Sequence, residues 1–191
     1  MAKGKLVIIS APSGAGKTTI VKYLMEKIPA LGFSVSATSR TPREGESDGV
    51  DYHFLTADDF RTKIDQGLFA EWEEVYPDHY YGTLLSEIER LRSMGKHLVF
   101  DVDVKGGINL KSRFGSEALS LFIMPPSIEE LESRLRLRGK DSDEKIRIRV
   151  EKAAEELTDA ARFDVIVVND DLNQAKKRVF DTINKFLNQK G

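Results

Sequence analysis

The stretch LVIISAPSGAGKTT, residues 6–19, joins a short apolar run to a glycine-rich loop that ends in lysine and threonine. Phosphate-binding loops of the Walker A type read G-x-x-x-x-G-K-[ST], and this stretch departs from the pattern only at Ala11, where the first glycine would stand. Backbone N–H groups of such a strand-to-helix turn surround phosphate oxygens, helped by the positive end of the helix. The stretch therefore predicts a phosphate-binding loop; the alternative is a glycine turn that only caps a helix.

The positions of this loop have distinct expected tasks. Gly14 and Gly16 allow close approach of the backbone. Lys17 is expected to reach the transferable phosphates, and the Thr18 hydroxyl is expected to bind Mg²⁺. Ala11 is compatible with the loop unless its backbone needs a positive φ, where a Cβ would cost roughly 1 kcal/mol of stability. The residues of the predicted loop are Ala11, Pro12, Ser13, Gly14, Ala15, Gly16, Lys17, Thr18 and Thr19.

The composition is that of one globular domain. Of the 191 residues, 40% are hydrophobic and 31% are charged, which allows a substantial core. No apolar segment approaches the roughly 18 residues of a membrane span, and the start MAKGKLVIIS is too short in its apolar part for a signal peptide. A formal net charge of -2 gives no general attraction for nucleic acid, and the absence of cysteine fits a cytoplasmic protein. We therefore expect small ligands, with no membrane and no nucleic acid.

Four runs of apolar and β-branched residues predict the strands of a core sheet. They are almost continuously apolar rather than alternating, which is typical of parallel strands buried on both faces. Helical patterns separate them: one ends before Pro29, one is stopped by Gly95, and one begins at Ser127, where Glu130 completes a capping box. The four runs cover residues 6–10, 97–103, 118–124 and 163–170.

The segment 33–83 differs from the rest, because short alternating stretches and polar turns replace the apolar runs. We predict an α/β fold in which a P-loop parallel sheet is flanked by helices, with a small mixed or antiparallel insertion and a helical lid. The chain is expected to form a single domain, 1–191. Its predicted parts are a core of about 1–32, 84–126 and 151–191, an insertion of about 33–83 and a lid of about 127–150.

The insertion carries arginines, tyrosines and a glutamate suited to a second ligand. Arg40 and Arg43 flank a Thr-Pro turn and can hold one phosphate in fork geometry, with phenolic donors from two tyrosines. Glu71, with a hydroxyl such as that of Ser36, would complement the N–H donors of guanine, whereas adenine has the reverse pattern. Two alternatives stay open: the arginines are solvated surface, and Glu71 is an exposed strand residue beside Glu73.

Two aspartates follow the apolar run at 97–103. Asp101 stands where P-loop proteins often place a carboxylate near Mg²⁺, and Asp103 shares its strand face. One can serve the metal and the other an acceptor base, or both can end the strand and cap the next helix. The stretch VVNDD, 167–171, lacks the lysine of the GTPase signature N-K-x-D, and either meets a base or caps the last helix.

Arginines cluster between 134 and 149, on the predicted lid. Arg134 and Arg138 lie four residues apart and share a helix face, and Arg147 and Arg149 follow after a polar turn. Most such charge is solvated helix surface. Arginines on a mobile lid would nevertheless neutralise the charge that develops on a transferring phosphoryl group, and closure would exclude water.

These motifs together resemble the guanylate kinase family along nearly the whole chain. APSGAGKTT resembles its phosphate loop, FSVSATSRTPREGESDGVDYHF and FAEWEEVYPDHYYGT its GMP-binding segments, LVFDVDVKGG its acidic strand end, RLRLRG with IRIRV its lid arginines, and VIVVNDDL its donor-base turn. The resemblance implies phosphoryl transfer from ATP to GMP with Mg²⁺. It implies that Thr18 and Asp101 serve the metal, that Arg138 and Arg149 clamp phosphates, and that Asn169 lies near adenine. The implied acceptor residues are Ser36, Arg40, Arg43, Tyr52, Glu71, Tyr81, Thr83, Asp103 and Arg149.

Two rival functions remain at the level of sequence. One is a kinase of the same build that acts on another nucleoside monophosphate or on a sugar phosphate. The other is a non-catalytic binding module of the same fold. Such modules typically lose the phosphate loop or the lid arginines, and this chain has both.

Overall fold

The computed structural model describes residues 4–139 and 141–189, which form nine strands and seven α-helices. The strands are β1 (Leu6–Ser10), β2 (Leu31–Phe33), β3 (Ala37–Thr38), β4 (His53–Phe54), β5 (Phe69–Tyr76), β6 (His79–Leu84), β7 (His97–Asp101), β8 (Ala118–Met124) and β9 (Val165–Val168). The helices are α1 (Lys17–Lys27), α2 (Ala57–Asp65), α3 (Leu85–Ser93), α4 (Val104–Phe114), α5 (Ile128–Leu137), α6 (Asp143–Thr158) and α7 (Leu172–Asn188).

Five parallel strands form the core sheet in the order β2-β7-β1-β8-β9. All five residues of β1 are buried, because helices cover both faces of the sheet. Val7 and Ile9 pack with α1, α5, α6 and α7, whereas Leu6 and Ile8 pack with α3 and α4. The predicted α/β class and the four predicted strands are confirmed. The short strand β2 was not predicted, and it takes Phe33 into the core sheet rather than into the insertion.

The insertion folds as a second sheet in the order β4-β3-β6-β5. Its β5–β6 and β3–β6 pairs are antiparallel and its β3–β4 pair is parallel, so the sheet is mixed. It has its own aromatic core, in which the Phe60 ring stacks on Phe69 and Tyr80 with centroids 4.3 and 5.2 Å apart. This separate core allows the insertion to hold its shape beside the main sheet.

The predicted lid, about 127–150, contains α5 and the first half of α6, which continues to Thr158. Ser127 caps α5 by accepting a hydrogen bond from the Glu130 N–H, while the Glu130 carboxylate binds Arg134 and leaves the capping box half formed. The polar turn predicted between the helices includes residue 140, which lies outside the described ranges, as do the predicted domain ends at 1–3 and 190–191. Within the part of the chain that is described, no helix is long and apolar enough to cross a membrane.

Candidate active site

A cavity of about 520 Å³ lies at the carboxyl ends of β1 and β7. In open parallel sheets this edge is where ligands bind. The phosphate loop, the insertion and the lid all contribute to its wall. The predicted residues that line it are Ala11, Pro12, Ser13, Gly14, Gly16, Lys17, Thr18, Thr19, Ser36, Tyr52, Glu71, Tyr81, Asp101, Asp103, Arg138 and Arg149.

The phosphate loop has the backbone that a cradle needs. Gly14 and Gly16 have φ values of 100° and 98°, in the left-handed region that favours glycine. Ala11 does not have a positive φ and is buried in the main core, so its Cβ adds no strain at the position of the missing glycine. Ala15 is buried, and its N–H donates to the carbonyl of Pro12 at 3.1 Å. The Ala15 side chain therefore packs the loop against the main hydrophobic core.

Asn169 also supports the loop, by a hydrogen bond to its backbone. Its Nδ2 donates to the carbonyl of Ala15 at 2.7 Å, and a Cβ on Gly16 would lie 2.5 Å from that nitrogen. Arg134 of α5 donates to the Asn169 carbonyl at 3.0 Å, which links the lid to the same turn. Asn169 is buried and lies off the cavity wall. Its contact with adenine stays a prediction, while its contact with the loop is an addition that the sequence did not indicate.

Lys17 is held at the end of β7. Its Nζ donates to the carbonyl of Val102 and forms an ion pair with Asp101 Oδ1, both at 2.6 Å. Thr18 is exposed and lines the same cavity. A hydroxyl and a carboxylate suit Mg²⁺, which prefers oxygen ligands and binds with few protein groups beside phosphates and waters. The described residues contain no group of three or more His, Cys, Asp or Glu side chains arranged to hold a metal.

The opposite wall carries Glu71, which is only 8% exposed. Its Oε1 accepts a hydrogen bond from the Thr83 hydroxyl at 2.7 Å. Burial raises the pKa of Glu71 to about 7, and the nearby charges of Asp103 and Glu73 add to the rise while Thr83 opposes it. The alternative of an exposed strand residue is therefore wrong. A buried carboxylate with a single hydroxyl partner is ready to accept further hydrogen bonds from a ligand.

Asp103 faces the same wall and also caps α4. Its Oδ1 accepts the Gly106 N–H at 2.8 Å, so the predicted capping role is confirmed for this residue. A Cβ on Gly106 would lie 2.9 Å from Glu71 Oε2 and 3.1 Å from Asp103 Oδ1. The glycine therefore lets the start of α4 approach both carboxylates. The other predicted cap, Asp171, accepts the Gln174 N–H at the start of α7.

Arg40 lies behind the tyrosines of the wall. Its guanidinium forms two hydrogen bonds with Glu46, at 2.6 and 2.7 Å, donates to the Tyr81 hydroxyl at 3.1 Å, and lies 4.9 Å from the centre of the Tyr52 ring. The hydrogen bonds from Arg40 hold the pKa of Glu46 at about 2. Arg43 is exposed and gives Glu46 only its backbone N–H. Neither Arg40 nor Arg43 lines the cavity. The pairing of Arg40 with Glu46 was not predicted.

Two of the lid arginines face the cavity. Arg138 ends α5, and Arg149 on α6 lies 3.1 Å from Asp141 and donates to the Ser13 hydroxyl at 3.3 Å. Arg136 points elsewhere, because it pairs with Glu132 and Asp143. Arg138 and Arg149 therefore both line the cavity, and their role as a phosphate clamp stays a prediction.

Lys152 and Glu156 also line the cavity, and neither was predicted. They lie three and seven residues after Arg149 on α6, so the three side chains share a helix face, and this spacing is visible in the sequence. Lys152 Nζ lies 3.7 Å from Glu156 Oε1. Burial raises the pKa of Glu156, and the charge of Lys152 opposes the rise.

A parallel sheet with a phosphate loop after β1, faced by an insertion and a lid, defines the class of P-loop kinases. The family model described as guanylate kinase matches residues 3–186. A guanylate kinase of Bacteroides thetaiotaomicron is 52% identical, with 97% of this chain and 91% of the relative covered, and one of Salinibacter ruber is 48% identical, with 95% and 96% covered. The crystal structure of guanylate kinase from Anaplasma phagocytophilum matches with a TM-score of 0.78 at 27% identity, over 98% of this chain and 88% of that one. The chain belongs to the guanylate kinase family.

Proposed function

We propose that the protein transfers the terminal phosphoryl group of ATP directly to GMP, which yields ADP and GDP. The observation that carries the proposal is the buried Glu71–Thr83 pair, which faces the Lys17 loop across a single cavity. The loop suits a polyphosphate and the carboxylate suits guanine. We place the reaction in the cytoplasm, because a chain without cysteine suits a reducing compartment.

The donor site is proposed to be the loop and the residues around it. Backbone N–H groups between residues 13 and 18 would surround the ATP phosphates, and Lys17 would move from Asp101 to those phosphates. Thr18 and the released Asp101 would hold Mg²⁺, whose charge would help to neutralise the phosphates. Asn169 would keep the loop in its binding conformation through the Ala15 carbonyl.

The acceptor site is proposed to be the insertion together with the start of α4. Glu71, Ser36 and Asp103 would accept or donate hydrogen bonds at the guanine edge, and Thr83 would orient Glu71. AMP would leave the buried carboxylate without a donor, which costs on the order of 1–3 kcal/mol for each unpaired group. Arg40, Arg43, Tyr52 and Tyr81 would hold the GMP phosphate, with Glu46 orienting Arg40 until the phosphate arrives.

Transfer would then need positioning and charge neutralisation rather than a general base. The acceptor phosphate is already ionised at neutral pH, so no proton has to be removed before it attacks. Arg138 and Arg149 would move onto the transferring group as the lid closes, which requires Arg149 to leave Asp141. Closure would also exclude water and so limit the hydrolysis of ATP.

An acceptor comparison tests the proposal. ADP release should be measured with ATP and Mg²⁺ in the presence of GMP, AMP, UMP or ribose 5-phosphate. We expect turnover with GMP to exceed that with AMP by at least about tenfold, the value of one unpaired buried group. A preference for another acceptor would show a kinase of different specificity, and binding of GMP without turnover would show a non-catalytic module. Either result would refute the proposed function.

A further inference from the structure

The chain crosses between the core sheet and the insertion twice, and both crossings meet at Glu87. One crossing is the segment 34–36 between β2 and β3. The other is the junction at Leu84, where β6 ends and α3 begins at the next residue. Glu87 lies in the first turn of α3 and is only 3% exposed, which is rare for a carboxylate. The proposed reaction does not use it.

The Glu87 carboxylate has partners on three different elements. Oε1 accepts the Val35 N–H of the crossing at 3.1 Å and an Arg90 N–H of α3 at 2.8 Å. Oε2 accepts a second Arg90 N–H at 2.8 Å and lies 3.7 Å from Nε2 of His53, which belongs to β4 of the insertion. Burial would raise the pKa of Glu87, but the hydrogen bonds from Arg90 and Val35 outweigh it and lower the pKa below its usual value.

Val35 lies where the backbone hydrogen bonds of the chain change from the core sheet to the insertion. The N–H of Ser34, before it, donates to the Val99 carbonyl in the core sheet at 3.0 Å, and the carbonyl of Ser36, after it, accepts the His53 N–H in the insertion at 2.9 Å. The Val35 N–H lies between the two sheets, where Glu87 is its acceptor. Because Val35 is buried, loss of that acceptor would leave an N–H that water cannot easily satisfy.

We propose that Glu87 is a positioning residue, which fixes the insertion relative to the core sheet and so sets the geometry of the acceptor site. The inference rests on the proposed function, because it concerns the site assigned to GMP. Ser36 directly follows Val35 in the first crossing. Thr83, which donates a hydrogen bond to Glu71, lies two residues before the start of α3. The phosphate loop is joined to β1 and α1 and not to either crossing. A change at Glu87 should therefore affect GMP and spare ATP.

Steady-state kinetics of Glu87→Ala test this split. Misplacement of binding groups by a fraction of an ångström to 1 Å should raise the KM for GMP about tenfold and change the KM for ATP less than about twofold. Glu87→Gln keeps an oxygen for the Val35 N–H and should restore the KM for GMP to within about threefold of the wild type. If Glu87→Ala does not fold, Glu87→Asp, which withdraws the carboxylate by one carbon, carries the same expectation.

Ile88→Val is the matched control. Ile88 is the next residue of α3 and is buried in the core on the opposite side of the sheet from α1. Its apolar side chain cannot accept a hydrogen bond from the Val35 N–H. This variant should lose stability without changing either KM. Equal changes in both KM values, or the same GMP defect in Ile88→Val, would overturn the inference, as would a Gln variant as impaired as the Ala variant.

Hydrogen exchange separates this inference from the proposed function. The Val35 amide should exchange at least about tenfold faster in Glu87→Ala than in Ile88→Val, whether or not GMP is a substrate. Unchanged protection at Val35 would refute the role of Glu87. A wild-type protein that does not phosphorylate GMP would refute the proposed function alone, and the exchange result would still decide whether Glu87 holds the crossing.

Discussion

Replacement of Glu71 by glutamine should stabilise the protein and, at the same time, weaken its binding of GMP. The magnitude follows from the pKa of Glu71, which burial raises from the ordinary 4.5 to about 7. A difference of this size corresponds to about 3 kcal/mol, at about 1.4 kcal/mol for each pH unit. The raised pKa means that the neutral carboxyl favours folding and the ionised one opposes it. The stabilising contribution is therefore complete below pH 4.5 and is lost as the pH rises towards 7.

In the glutamine variant this contribution to stability does not fall as the pH rises. The side-chain oxygen of the glutamine can still accept the hydrogen bond from the Thr83 hydroxyl. Urea unfolding should show the variant to be more stable than the wild type by about 1–3 kcal/mol at pH 8, and by less than about 1 kcal/mol at pH 5. Calorimetry should show weaker GMP binding by tenfold or more at pH 8, because the acceptor for the guanine N–H groups has been replaced in part by a donor. ATP binding should change little.

The pH dependence of GMP binding gives the sharpest comparison. In the wild type, affinity for GMP should increase from pH 6 to pH 8 as Glu71 ionises, whereas in the variant only the titration of the GMP phosphate, with a pKa near 6, remains. The glutamine variant is thus the control that isolates the titration of the GMP phosphate from that of Glu71. A stability difference that is the same at pH 5 and pH 8, or equal losses of GMP and ATP binding, would refute the reasoning.

Three further substitutions test the donor side. Lys17→Met should lower turnover by at least about a thousandfold in the ADP-release assay and leave GMP binding by calorimetry largely intact; retained activity would contradict the role of Lys17. Ala11→Gly should lower the urea-derived stability by about 1 kcal/mol, because the buried Ala11 has no positive φ to relieve, and a more stable variant would reveal strain there. Asn169→Asp should destabilise the protein by about 1–3 kcal/mol and raise the KM for ATP, because a carboxylate would face the Ala15 carbonyl; the exposed Asp170→Asn is its control, and equal effects would exclude the support of the loop.

The main sheet could be predicted because its strands are long apolar runs that need only burial to form. The strand β2 could not, because it has only three residues and a glycine at its centre, where a Cβ would lie 2.7 Å from Leu91 Cδ2. The start of the helix α4 could be predicted from its capping aspartate, but the helical signal of its first turns is weak. Gly106 and Gly107 lower helix propensity by up to about 1 kcal/mol each, yet a Cβ on Gly107 would lie 2.3 Å from Ser10 Oγ. The glycines that obscure the helix are those that let it approach the site.

Many side chains of the candidate site could be named from the sequence, whereas Lys152 and Glu156 and most of the contacts between site residues could not. Glu46 is near Arg40 in the sequence, so this pair was within reach of a local reading. The contact between Asn169 and Ala15 joins the two ends of the chain, and only the neighbouring positions of β1, β8 and β9 in the sheet bring them together. Contacts of this kind depend on strand order, which residue types and spacing do not specify.

The structure also separates two kinds of recognition within one cavity. Three cations expected to bind phosphate are each paired with a carboxylate, so that phosphate binding would exchange one anion for another around a cation that is already oriented. The pairs are Lys17–Asp101, Arg40–Glu46 and Arg149–Asp141. Glu71 differs, because its hydrogen bond is to the Thr83 hydroxyl and burial leaves its ionised form destabilised. A base that brings N–H donors relieves this destabilisation, whereas the phosphates of any nucleotide satisfy the cations. Discrimination among acceptors should therefore arise at Glu71, and the arginines should contribute affinity that all nucleoside monophosphates share.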